Sequence, residues 1–238
     1  MKSPASLAYL LPNFFTSASI FSGVLSMINA INGEFTNAAW LIFLALIFDG
    51  LDGRVARLTN TCSKFGIEFD SLADIVAFGV APSLLMYLFV GDEYGRLGIV
   101  ASALFVIFGA VRLARFNVMT SSSEPSVFIG IPIPTAAVFL AISVLLFEKY
   151  GLKNDYGMLL LLCSMLLSVL MVSNIRYPSF KKIDTNAKHR RKIFVSILFV
   201  LLLIFIYPIE GFALFFTCYI FYGLIRAGFV FLKRIGRK

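Results

Sequence analysis

The chain has 238 residues, of which 59% are hydrophobic and 15% aromatic, with a mean hydropathy of +0.89 and a formal net charge of +8. Ordinary soluble domains use roughly 45–50% apolar residues, so a soluble globular protein is excluded. With no soluble domain and no basic-aromatic platform, the positive charge points to anionic lipid headgroups and away from nucleic acid.

Residues 1–12 mix Lys2, Ser3 and Pro4 with Leu7, Tyr9, Leu10 and Leu11, a segment too short to span a bilayer and suited to its interface. No small-residue cleavage site follows the first apolar run, so the N-terminus is expected to be retained. Apolar length and breaker residues then predict spans near 14–31, 35–57, 64–90, 97–116, 132–149, 156–174, 193–209 and 211–232. The expected fold is an all-α integral membrane protein, a polytopic helical bundle of about eight transmembrane helices in one domain (1–238). It divides into the interfacial segment 1–12, a six-helix core at 13–174 and two additional C-terminal helices at 175–238.

The second and third predicted spans meet at the richest chemistry in the chain. Asp49-Gly50-Leu51-Asp52-Gly53-Arg54-Val55-Ala56-Arg57 is followed, after eight residues, by Gly66-Ile67-Glu68-Phe69-Asp70-Ser71-Leu72-Ala73-Asp74. Helical residues three and four apart share a face, so Asp49 and Asp52 form one acidic stripe, and Gly66, Asp70 and Asp74 line up on a second. Each carboxylate costs about 2.5–3.5 kcal/mol at a helix centre in a membrane. Hard divalent cations, Mg²⁺ or Mn²⁺, offset that cost, and such sites pair a few carboxylates with substrate phosphates. Gly53, Ala56 and Gly66 leave room for a ligand beside the backbone, and Arg57 offers a planar cation for phosphate. The competing structural reading is that the acids pair with Arg54, Arg57 or Lys64 and that the small residues only pack helices.

The pattern Asp52-Gly53-x2-Ala56-Arg57-x8-Gly66-x3-Asp70-x3-Asp74, preceded by Asp49, resembles the complete signature of the CDP-alcohol phosphatidyltransferases. Leu11-Pro12-Asn13, the run from Phe69 to Pro82, Arg112-Leu113-Ala114-Arg115-Phe116-Asn117 and Gly130-Ile131-Pro132-Ile133-Pro134 are similar to the bacterial phosphatidylserine synthase branch of that family. Tyr177-Pro178-Ser179-Phe180-Lys181 is a weaker echo. The resemblance implies that Asp49, Asp52, Asp70 and Asp74 hold two divalent metal ions, Mg²⁺ or Mn²⁺, against the diphosphate of CDP-diacylglycerol, with Asp74 doubling as general base. It implies diphosphate or nucleotide contacts by Asp52, Gly53, Ala56, Arg57, Gly66 and Asp70, an L-serine acceptor, phosphatidylserine and CMP as products, and a homodimer in the inner (cytoplasmic) membrane.

The residues themselves bear on the acceptor. Glycerol phosphate would need extra cations beside the last aspartate, where this chain continues with apolar Ile75, Val76 and Ala77. On the fourth span Arg112 and Arg115 share a face and are suited to a serine carboxylate, with Asn117 or Ser71 near its ammonium. The alternative for both arginines is topological anchoring, and other acceptors (glycerol phosphate or inositol) remain open at this point.

Farther along, Ser121-Ser122-Ser123-Glu124-Pro125 reads as a connector, and the basic stretch from Arg176 to Lys192 as a topology determinant or lipid contact. His189 lies in that stretch and is expected to be solvated. Cys62, Cys163 and Cys218, odd in number and widely spaced, suggest packing and not a disulfide framework. Phe215, Phe216, Tyr219, Phe221 and Tyr222 are expected to face lipid. Nearly all Lys and Arg fall on one side of an eight-span topology, leaving only Arg96, Lys149 and Lys153 on the other. That side is therefore expected to be cytoplasmic and to carry the acidic motif. A cation transporter is the rival class; it would move metal without nucleotide lipid, whereas the enzyme releases CMP.

Overall fold

A computed structural model describes residues 4–120, 127–178, 198 and 202–235. The elements in order are α1 (Pro4–Ile31), α2 (Phe35–Leu58), α3 (Lys64–Asp74), a π-helical turn (Ile75–Val80), α4 (Ala81–Phe89) and a 3₁₀ turn (Gly91–Tyr94). Then follow α5 (Arg96–Thr120), β1 (Val127–Ile129), α6 (Ile133–Tyr150), α7 (Lys153–Val172), β2 (Arg176–Pro178) and α8 (Pro208–Ile235). The protein is an all-α polytopic membrane protein. Among the described residues six helical stretches are long and apolar enough to cross a bilayer: Leu10–Ile31, Lys64–Phe89, Arg96–Val118, Ile133–Tyr150, Lys153–Val172 and Pro208–Ile225. Against about eight expected spans, α2 has 24 residues, about 36 Å at 1.5 Å per residue, but ends in the charged motif. The span expected at 193–209 falls largely outside the described residues, as do Ser121–Pro125, His189 and most of the basic stretch after Pro178. Residues 4–12, read as interfacial, continue without a break into α1, which carries Pro12 inside it.

The helices are apolar on all sides because two different surroundings demand it. On α7, Leu159, Leu162, Leu166 and Val169 recur at helical spacing and are 50–60% exposed, the face turned to lipid. Leu160, Leu161, Leu167 and Met171 are buried on the opposite face. Lipid is as apolar as these side chains, so close packing of small residues holds such helices together more than hydrophobic burial does. The core accordingly contains Ala38, Ala39, Ala45, Ala77, Ala81, Ala136, Ala137 and Ala141, all fully buried. Gly23 on α1 shows why: a Cβ there would stand 2.8 Å from the Ala77 Cα of the π-helical turn, so only glycine lets the two backbones meet. α6 is the central helix, buried from Ile133 through Leu145 and packed against α2, α4, α7 and α8.

α1 and α2 form an antiparallel pair with a polar seam. Thr16, Ser19, Ser22 and Ser26 are buried; Ser19 Oγ donates to Ala45 O at 3.2 Å and Ser26 Oγ to Ala38 O at 2.8 Å. At the far end of that pair, Asn60 adopts a left-handed conformation (φ 54°), which asparagine tolerates better than most residues. Ser63 then caps α3 by accepting the Gly66 N–H at 3.0 Å. This tight reversal lets the end of α2 and the start of α3 stand side by side.

The sequence reading contained no strand, yet β1 and β2 pair antiparallel, with Phe128 opposite Tyr177. Neither three-residue run is long enough to signal a strand. Gly130, at φ +78°, donates its N–H to Ile175 O at 2.8 Å. A Cβ at Gly130 would lie 2.2 Å from Met171 O, so a side chain is sterically barred there. At the opposite end of the bundle, Glu210 of α8 accepts from Lys149 and Tyr150 of α6, and Thr36 of α2 donates to Glu148 at 2.7 Å. The Glu210 contacts seat α8 on α6, and the Thr36 contact ties α2 to α6. Phe215, Phe221 and Tyr222 are exposed to lipid as expected, but Phe216 and Tyr219 turn inward and pack on the core.

Candidate active site

The reversal between α2 and α3 brings three carboxylates together. One oxygen from each of Asp49, Asp70 and Asp74 lies within 4.8 Å of the others. Two full negative charges at that separation repel by about 3.5 kcal/mol at an effective dielectric of about 20. Asp70 Oδ1 and Asp74 Oδ1 are buried and have no hydrogen-bond partner. Oxygen-only donors with unpaired buried lone pairs are the ligand set of a hard divalent cation, so these residues fit a metal ion.

Asp52 stands apart from this triplet. It is 5% exposed, and Thr16 Oγ1 of α1 donates to its Oδ2 at 2.6 Å. Asp52 instead opens onto a cavity of about 210 Å³ lined by Pro12, Asn13, Thr16, Asp52, Gly53, Ala56, Arg57, Thr61, Cys62, Ser63, Gly66, Ile67 and Asp70. All six residues expected to contact a diphosphate or nucleotide therefore line one space. Asp70 belongs both to the cavity and to the triplet, so a ligand in the cavity would lie next to the acidic cluster. Gly53 has only the Arg57 guanidinium near its missing side chain, with Nη1 3.5 Å from a would-be Cβ. At Gly66 a Cβ would press on Ser63 Oγ at 3.2 Å, so a side chain would both narrow the cavity and disturb the helix cap.

The four acceptor candidates separate into different environments. Asn117 Nδ2 donates to Ser71 Oγ at 2.9 Å, which joins α5 to α3 one turn before Asp74. Arg112 is buried at 7% exposure, lies over the Phe116 ring at 5.3 Å and leaves its Nε without a partner. Arg115 turns elsewhere: its guanidinium donates to Val172 O at 3.1 Å, Ser173 O at 3.3 Å and Asn174 Oδ1 at 3.4 Å. It thus caps the C-terminus of α7, where unpaired carbonyls attract a cation. Sharing a helical face does not decide where a long side chain ends.

Thr16, Thr61, Cys62 and Ser63 line the cavity but were not singled out from sequence. Thr16 heads a series of small hydroxyl residues at helical spacing, a pattern that marks a packed polar face. Cys62, read as a packing residue, is a free, exposed thiol on the cavity wall. It escaped notice because it sits in the connector whose conformation, set by Asn60 and Ser63, decides what faces inward.

A model of the CDP-alcohol phosphatidyltransferase family matches residues 9–170. A Helicobacter pylori protein named CDP-diacylglycerol–serine O-phosphatidyltransferase is 54% identical over 236 residues, covering 99% of this chain and 98% of the relative. A Methanocaldococcus jannaschii protein of the same name is 37% identical over 86% of this chain and 92% of the relative. An archaetidylserine synthase of Methanothermobacter thermautotrophicus is 38% identical over 71% of this chain and 69% of its own length. The crystal structure of a Mycobacterium tuberculosis phosphatidylinositol phosphate synthase with CDP-DAG bound superposes with a TM-score of 0.54 at 18% identity, covering 69% of this chain and 80% of that one, a likeness of fold. The motif, the cavity it lines and these matches together establish that the chain belongs to the CDP-alcohol phosphatidyltransferase family.

Proposed function

We propose that this protein transfers the phosphatidyl group of CDP-diacylglycerol to the hydroxyl of L-serine, giving phosphatidylserine and CMP. The observation that carries the reading is the Asp49, Asp70 and Asp74 triplet opening through Asp70 onto the cavity of Asp52, Gly53, Ala56, Arg57 and Gly66. Full-length identity with relatives named for the serine reaction supports serine as the acceptor.

Two divalent ions, Mg²⁺ or Mn²⁺, held by Asp49, Asp52, Asp70 and Asp74, would neutralise charge on the diphosphate and the departing CMP. The chain's own residues do the rest. Arg57 binds diphosphate oxygens, while Gly53, Ala56 and Gly66 keep the wall low enough for the nucleotide to approach the backbone. Asp74 takes the proton from the serine hydroxyl as that oxygen attacks the lipid-linked phosphorus. The bond from this phosphorus to the bridging oxygen breaks, and CMP leaves with the electron pair. Arg112, buried with an unpartnered Nε, binds the serine carboxylate; the Asn117 and Ser71 pair lies near the ammonium. Arg115, also an acceptor candidate, holds the end of α7 through Val172 O and Ser173 O.

The lopsided distribution of Lys and Arg supports a site facing the cytoplasm of the inner membrane, with anionic lipids gathered around it. A homodimer is proposed on family grounds. An acceptor screen tests the function: with CDP-diacylglycerol and Mg²⁺ or Mn²⁺, CMP release is expected with serine and little with inositol or glycerol phosphate. Preference for glycerol phosphate would reject serine as the acceptor.

A further inference from the structure

Thr16 lies on α1, outside the acidic motif, yet makes the closest polar contact to any of its four aspartates that joins different helices through an uncharged group. We infer that Thr16 is a positioning residue for nucleotide-lipid binding, fixing the Asp52 carboxylate in the wall of the cavity through its hydroxyl. This rests on the reading of that cavity as the CDP-diacylglycerol site.

The hydroxyl has one proton and two oxygens within reach, Asp52 Oδ2 at 2.6 Å and Pro12 O at 3.1 Å. The shorter contact goes to the carboxylate, and hydrogen bonds to an ionised acceptor are the shorter and stronger kind. Thr16 is 3% exposed and Asp52 5% exposed, so water does not readily replace the hydroxyl. Both residues line the cavity, along with Asn13 one turn earlier on α1. Asp52 lies outside the close Asp49, Asp70 and Asp74 triplet, and the Thr16 hydroxyl reaches its Oδ2 from a different helix. Thr16 belongs to a helix held against α2 by Ser19 and Ser26. Its hydroxyl is therefore presented from a fixed support, which is what a positioning group requires. Asp52 is freed to turn when the hydroxyl is lost, and its approach to a bound diphosphate becomes one of several arrangements.

The test uses the intact protein in detergent and follows equilibrium binding of CDP-diacylglycerol in the presence of Mg²⁺, alongside CMP release with serine. Thr16→Val keeps the volume and removes the hydroxyl; Thr16→Ser keeps the hydroxyl and removes a methyl. Thr16→Val is expected to weaken CDP-diacylglycerol binding about tenfold or more, the weight of a hydrogen bond to a charged group, and to leave the KM for serine within about twofold. Thr16→Ser is expected to bind within about twofold of the natural protein. Binding by Thr16→Val equal to that of the natural protein overturns the inference, as does equal weakening in both variants, which would mark a packing role. If the natural protein itself neither binds CDP-diacylglycerol nor releases CMP, the proposed function fails and the positioning role falls with it.

Discussion

Asp49 and Asp74 lie on different helices, 25 positions apart in the chain, and each presents a carboxylate oxygen within 4.8 Å of the other. Neither helix alone makes the acidic site; the turn through Asn60 and Ser63 does. Replacing Asp74 by Asn keeps the volume and removes the proton acceptor. Asp74→Asn is expected to bind CDP-diacylglycerol in detergent within about tenfold of the natural protein and to lose more than 10² in turnover, the scale of a general base. Turnover at the natural rate in a CMP-release assay would discredit the assigned base.

The unpaired oxygens Asp70 Oδ1 and Asp74 Oδ1 predict dependence on added metal. Exhaustive chelation should abolish CMP release, and Mg²⁺ or Mn²⁺ should restore it while an equal concentration of a monovalent salt does not. Ca²⁺, which takes longer bonds and more ligands, should restore less. Full activity after chelation, checked by elemental analysis of the same sample, would contradict the metal reading.

Arg112 and Arg115 should differ in kind when each is changed to Met. Arg112→Met is expected to raise the KM for serine at least tenfold with CDP-diacylglycerol binding unchanged, because its Nε is buried and unpartnered. For Arg115→Met the expected effect is on stability: losing its bonds to Val172 O, Ser173 O and Asn174 Oδ1 should cost about 1–3 kcal/mol. Thermal unfolding in detergent and serine kinetics, run on both variants, separate the two outcomes. A large serine effect from Arg115 and none from Arg112 would reverse the assignment.

Gly23 lies outside the acidic motif, yet it governs how closely α1 approaches the π-helical turn that follows Asp74. Gly23→Ala places a methyl 2.8 Å from the Ala77 Cα, and overpacking of this kind costs about 1–3 kcal/mol. A lowered unfolding temperature, with activity falling further than stability because Asp74 is displaced, is the expected result. An unchanged unfolding temperature would show that the two backbones separate without cost.

Much of this was legible before any coordinates. Spacing alone put Asp49 and Asp52 on one stripe and Asp70 and Asp74 on another, and the cavity residues from Gly53 to Gly66 followed from their lack of bulk. What spacing could not supply was the offset between stripes. Asp52 shares a face with Asp49 on α2, but α1 stands beside that face and Thr16 donates to its carboxylate, so the closest cluster is Asp49, Asp70 and Asp74, with Asp52 joined to it through the cavity that it lines with Asp70. The arginines show the same limit: they are three positions apart, yet Arg115 reaches Val172 O, 57 positions along the chain at the end of α7, while Arg112 lies over the Phe116 ring on its own helix. The β1–β2 pairing was invisible because neither three-residue strand has a pattern of its own.

The hydroxyl seam between α1 and α2 has a consequence for how substrate is admitted. Ser19 and Ser26 donate to carbonyls of α2 at Ala45 and Ala38, and sliding one helix past the other would leave those donors stranded in hydrocarbon, where no water can take over. The two helices are thereby locked at one depth relative to each other. For the nucleotide lipid proposed above, the cavity wall formed by Thr16 and Asp52 therefore meets the diphosphate at one depth in the bilayer.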